Sequence, residues 1–164
     1  MPRDFHLSTF LPYRLAVLSE RVSRRLAVEY GRSHGISIPE WRVLVHLGRS
    51  GAASVRDITA WVNLEKPRVS RAVARLEGRG LVAKLPGRAD GRLVEISLTP
   101  AGQQALAEIV PAAQSVEADL ARAVSAEEMA TFLHVMEALH GVLDADPEAR
   151  ARAPFDAGQE DAAT

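Results

Sequence analysis

Residues 55–98 read VRDITAWVNLEKPRVSRAVARLEGRGLVAKLPGRADGRLVEISL, and the succession of patterns in that stretch decides the fold. Ser54 precedes it as a helix cap, with Asp57 in the third helical position, the spacing of a capping box. The short helix that this opens, 55–62, packs through Val55, Ile58 and Val62. Asn63 and Leu64 turn the chain, and Pro67 sits in the first turn of a second helix, where proline is tolerated. In that helix Val69, Val73 and Leu76 fall within about 60° of one another at about 100° per residue. Arg68, Arg71, Arg75 and Arg79, at spacings of three and four, form a separate stripe about 120° away. One stripe is oily and the other cationic. Gly78 and Gly80 stop the helix. From Leu81 the period becomes that of two strands, 81–85 and 93–98. The turn formers Pro86-Gly87-Arg88-Ala89-Asp90-Gly91 join them into a hairpin with a basic tip.

Short helix, turn, basic helix and hairpin is the plan of a winged helix-turn-helix, and its physical logic follows from DNA. An α-helix fits the major groove, and its outward stripe must carry donors for phosphates and base edges. The planar fork of arginine suits both, so Arg68, Arg71 and Arg75 are candidate contacts, with Lys66 and the small polar Ser70 near the helix start. Arg88 and Arg92 at the hairpin tip are placed to reach the backbone or a neighbouring minor groove. Asp90 would be repelled at such a surface unless it has a structural task. Directing Arg92 is the simplest; the alternative is that Asp90-Gly91 only makes the turn. Charge is distributed in the same sense. Between Glu65 and Arg92 lie eight basic and three acidic residues, +5 in a chain whose net charge is −1. A polyanion-binding surface accounts for that, as would a solvated helix face.

Working outward, Leu11, Leu15, Leu18, Val22 and Leu26 recur at spacings of three and four, predicting an amphipathic helix over about 8–31. Ser37, Pro39 and Glu40 open another helix, 39–49, expected to bury Trp41, Leu44, Val45 and Leu47. Residues 50–53 read as a break. After the hairpin, Thr99-Pro100 opens a long helix over about 101–123, with Pro111 expected to kink or break it. Ser125-Ala126-Glu127-Glu128 is a capping box for a last helix ending near residue 143. Beyond it the chain is alanine-rich, charged and proline-punctuated, so 144–164 reads as a disordered tail. The fold class is mainly α with a small β-hairpin wing. Leu106, Ile109, Val116, Leu120, Leu133, Met136, Leu139, Val142 and Leu143 are more apolar surface than a small lobe can cover. A twofold homodimer would bury them; the alternative is an intramolecular bundle.

The stretch Val69-Ser70-Arg71, Leu76-Glu77 and Gly80-Leu81-Val82, followed by Asp90-x-Arg92-x-x-x-Ile96-x-Leu98-Thr99-x-x-Gly102, resembles the MarR family of transcription regulators. The resemblance covers about 10–143. It implies a triangular dimer built from intertwined first and last helices above two winged lobes. On that plan 1–143 is one domain, with 8–35 and 100–143 as dimerisation helices and 37–99 as the DNA-binding lobe. The family's recognition helix falls on 66–79 and its wing-tip Asp-x-Arg on Asp90 and Arg92. Lys84 departs from the pattern, since many members carry arginine there, and lysine lacks the bidentate fork. The family also implies release of DNA by a small anionic aromatic or lipophilic effector. Tyr13, Arg14, Trp41, Arg42 and His46 could line its cleft, arginine neutralising a carboxylate between aromatic walls. The alternative places Trp41 in the core, Tyr13 at an interface and the arginines in solvent.

Other chemistry finds little footing. There are no cysteines, hence no disulfide, thiolate nucleophile or thiol sensor, and a reducing cytoplasm is the expected compartment. The five histidines form no i, i+4 pair, so no metal site is expected. No nucleophile elbow or phosphate loop appears, and no catalytic residue or cofactor is expected. No run approaches the ~20 apolar residues of a membrane span. The expectation is therefore a repressor that binds double-stranded DNA as a homodimer on a near-palindromic operator. The rival is a winged-helix module that binds protein; a methyltransferase with a winged-helix lobe would need a cofactor domain.

Overall fold

The computed structural model describes residues 5–86 and 94–149. After a short 3-10 turn at Leu7–Thr9 come α1 (Leu11–His34), α2 (Ile38–Ser50), β1 (Ala52–Ser54), α3 (Val55–Trp61) and α4 (Lys66–Gly78). They are followed by β2 (Val82–Pro86), β3 (Val94–Leu98), α5 (Pro100–Ala121) and α6 (Ala126–Asp144). Local chemistry sets most of these boundaries. Ser54 accepts from the Asp57 amide at the start of α3, and Ser125 accepts from the Glu128 amide at the start of α6, each in a full capping box. At α2 the box is Ser37–Glu40, and the Glu40 carboxylate is buried while accepting from the Ser37 amide at 2.8 Å and from the Ser37 hydroxyl. Each box satisfies amides that the first helical turn leaves unpaired. Asn63 takes a left-handed φ of 48° between α3 and α4, a conformation that its short polar side chain tolerates.

The sheet is antiparallel in the order β1-β3-β2, with Ala53 opposite Ile96 and Lys84 opposite Ile96 on the other edge. The hairpin agrees with the strand pattern in the sequence, whereas in β1 Ala52 and Ala53 read as part of a break and Ser54 as a helix cap. Three small residues carry no alternation of their own, and only the pairing with β3 makes them a strand. The core gathers Val43, Leu44 and Leu47 of α2, Ile58 of α3, Val69, Val73 and Leu76 of α4 and Ile96 of β3, all fully or almost fully buried. On α2 the buried stripe is Glu40, Val43, Leu44 and Leu47, so Val45, expected inside, is exposed and Trp41 is half-buried. The helix is turned by about one residue from the expected face.

α5 runs through Pro111 as one helix, packing Ala105 and Ile109 into the core beside α1 and α2. Leu106, Ile109 and Val116, expected to need a partner, are thus wholly or largely covered within the chain. Leu120, Leu133, Met136, Val142 and Leu143 stay exposed, Leu139 is half-buried, and α6 buries no residue at all. Among the described residues no helix is long and apolar enough to cross a membrane.

Of the residues that carry the family resemblance, Gly80, Leu81, Thr99 and Gly102 form a joint. Gly80 has φ 70°, allowing the chain to turn from α4 into β2. The Leu81 carbonyl accepts from the Thr99 amide at 3.1 Å, and the Thr99 hydroxyl donates to the Gly80 carbonyl at 2.6 Å. The same hydroxyl caps α5 by accepting from the Gly102 amide at 3.1 Å. A β-carbon on Gly102 would collide with the Leu81 carbonyl. Backbone passes against backbone here, which fixes the end of α4 relative to the start of α5.

Candidate nucleic-acid interface

α4 is amphipathic in the sense the sequence predicts. Val69, Ala72, Val73 and Leu76 are buried, and Lys66, Arg68, Ser70, Arg71 and Arg75 are exposed on the other side. None of the cations Lys66, Arg68, Arg71 and Arg75 makes an ion pair with another described residue. Their donors face solvent from a rod whose opposite side is anchored across its length. α3 packs against α4, and Arg42 of α2 donates to the Val62 carbonyl at 3.1 Å, tying the end of α3 to the lobe.

Arg79 differs from the other three members of its stripe. It caps the C-terminal end of α4, and its guanidinium donates to the Gly35 carbonyl at 3.3 Å and to the His34 carbonyl. The outward stripe therefore has three arginines, and the fourth clasps α4 to the end of α1. The clasp continues into α5, because the His34 imidazole meets the Glu108 carboxylate at 3.0 Å. Glu108 also accepts from Gln104 at 2.7 Å; these hydrogen bonds, Gln104 foremost, hold its carboxyl below the usual range. Lys84, which departs from the family pattern, forms an ion pair with Glu77 at 2.6 Å and so joins β2 to α4. Arg88, Asp90 and Arg92 lie outside the described residues.

A second feature lies on the other side of α2. Trp41, Arg42, Val45, His46 and Arg49 of α2 face Trp61, Val62 and Asn63 across a cleft of ≈ 440 Å³. Of the five effector-cleft candidates from the sequence, Trp41, Arg42 and His46 share this cleft. Tyr13 and Arg14 do not line it; they are exposed on the N-terminal half of α1. Trp61 and Arg49 join the cleft without having been candidates. Trp61 carries a readable signal, as the chain's other tryptophan at the end of a short helix. Trp41 is backed by a near-parallel stack on buried Tyr30, centroids 5.2 Å apart, and burial pushes the Tyr30 phenol up. His46 leans on Trp61 with centroids 5.6 Å apart. Among the described residues no group of three or more His, Cys, Asp or Glu could hold a metal ion.

Comparison with known proteins agrees with this geometry. The model of the MarR family matches residues 34–93, which run from the end of α1 into the hairpin. The transcriptional repressor IacR of Pseudomonas putida is 30% identical over 69 residues, a match covering 42% of this chain and 41% of that protein's length. The homoprotocatechuate degradative operon repressor of Escherichia coli is 28% identical over 123 residues, 70% of this chain and 80% of the repressor. The solved structure of the MarR family transcriptional regulator SPO1453 from Silicibacter pomeroyi DSS-3 is 31% identical. It covers 86% of this chain and all of its own, with a TM-score of 0.72.

Proposed function

The chain belongs to the MarR family, and from that premise we propose that it is a DNA-binding transcription regulator, a homodimeric repressor whose α4 enters the major groove. The observation that carries the proposal is the solvent-facing row Arg68, Arg71 and Arg75, unpaired with described residues and braced by a buried seam. A protein-binding winged helix has no need of that row. The repressor direction draws on the two repressors to which the chain is similar. Homodimerisation draws on the exposed apolar residues of α1 and α6, Leu11, Leu15, Leu18, Phe132, Leu133 and Val142 among them. A twofold dimer would set the two α4 helices about one DNA turn, ~34 Å, apart on a near-palindromic site.

The Trp41–Trp61 cleft is the proposed effector site, for a planar aromatic acid. Two indole rings supply flat apolar walls, and Arg42 and Arg49 supply positive charge for a carboxylate. Tyr13 and Arg14 belong on this reading to the dimer face of α1. The test is electrophoretic mobility shift on duplexes that the purified protein selects from random sequence. Binding of a palindromic duplex that aromatic carboxylates weaken supports both halves of the reading. Failure to enrich any sequence would remove the first.

A further inference from the structure

His46 lines the cleft with one of its ring nitrogens out of solvent's reach. The Nε2 atom of its imidazole is buried and meets no donor or acceptor among the described residues. Nothing in α2 or α3 satisfies it, although the ring is positioned against Trp61 and flanked along its own helix by Arg42 and Arg49. Because Nε2 itself is out of solvent's reach, a group entering the cleft meets the ring through its charge and not through a hydrogen bond at that atom. Building on the effector role proposed for this cleft, we infer that His46 makes effector binding proton-coupled. An aromatic carboxylate enters the cleft beside Arg42, Arg49 and His46, and the imidazole takes up one proton from solvent as the anion binds.

The charges around the ring give the coupling its sign. In the empty cleft burial pushes the imidazole toward its neutral form; Asp57 at the start of α3 opposes this, and Arg49 on α2 adds to it. Arg42 directs its guanidinium at the Val62 carbonyl, and the indoles of Trp41 and Trp61 are uncharged. Among the described residues Asp57 is the carboxylate that favours the imidazolium. A bound carboxylate within about 4–6 Å would reverse the balance, since an opposite charge stabilises the protonated ring. The proton affinity of His46 is then higher in the complex than in the free protein. Binding strengthens as pH falls through the titration of the complex, and levels off below that of the free site.

The experiment is isothermal titration calorimetry of the full chain with 2-naphthoate, whose one titratable group stays ionised across the range. Buffers of differing ionisation enthalpy report the proton uptake. Both tryptophans of the chain line the cleft, so quenching of their fluorescence locates the ligand independently. The expected result is quenching, uptake of a large fraction of one proton near neutrality, and affinity roughly tenfold higher at about pH 6 than at about pH 8. His46→Gln should still bind with quenching, but without uptake or pH dependence. Should that variant fold poorly, the ring resonances of wild-type His46 give a second reading, since they must titrate at higher pH with 2-naphthoate than without. Quenching and binding with no proton uptake, or uptake that persists in His46→Gln, would overturn the proton coupling and leave the cleft reading intact. No quenching and no heat at millimolar 2-naphthoate would overturn both.

Discussion

Arg75 and Arg79 sit four residues apart on one helix and carry the same side chain, yet their surroundings give them different tasks. Arg75 points into solvent, whereas Arg79 spends its donors on the carbonyls of His34 and Gly35. Periodicity alone places both on one stripe, because it records angle around the helix and not what the neighbouring segment offers. A cation at a helix C-terminus beside free carbonyls is also favoured by the helix dipole, which draws Arg79 inward. Arg79→Gln should therefore weaken operator binding severalfold by loosening α4, while leaving the salt dependence of binding unchanged. Fluorescence anisotropy across a salt series checks this, and a flatter salt slope would make Arg79 a phosphate contact instead. His46 yields a stability prediction as well. Its folded-state proton affinity is lowered, chiefly by burial, so below about pH 6.5 the unfolded chain takes up protons that the native chain resists. Stability should thus be held above that pH and decline as pH falls through it. His46→Gln should flatten that part of the urea-midpoint profile.

At the scale of elements, the joint between Gly80-Leu81 and Thr99-x-x-Gly102 orients α4 against α5. Gly102→Ala forces a methyl group into the Leu81 carbonyl, which cannot yield without moving β2, so a loss of ~3 kcal/mol or more is expected in urea unfolding. Thr99→Ala removes a cap and the bond to Gly80, and should cost about 1–2 kcal/mol. A neutral Gly102→Ala would show that the close approach is not a constraint. These residues are readable in the sequence because their requirement is local: a left-handed turn, a cap and a position with no room for a side chain. The three capping boxes are readable for the same reason. β1 is not, because Ala52–Ser54 owes its structure to β3, more than forty residues away. Nor is the face of α2 legible, since apolar residues occur all around it and only packing selects Val43 over Val45. The cleft is half legible. Trp41, Arg42 and His46 share a short segment, while Trp61 reaches them only through the α2–α3 packing.

For the whole molecule, the described chain leaves its longest apolar faces uncovered, and α6 has no fully buried residue. Leu133→Glu combined with Val142→Glu should yield a folded monomer by analytical ultracentrifugation, because neither side chain enters the core of the lobe. Its affinity for a palindromic duplex should fall at least tenfold, since two recognition helices would no longer be linked. A dimer that survived both charges would move the interface elsewhere. The central claim, that the arginine row of α4 meets DNA phosphates and bases, is tested most directly by salt titration of operator affinity for the wild type and Arg71→Ala. With about six phosphates neutralised, log K against log[salt] should fall with a slope of roughly −5. Losing one contact from each of two subunits should flatten it by roughly 2. A wild-type slope near zero, or an Arg71→Ala slope and affinity equal to the wild type's, would contradict the account.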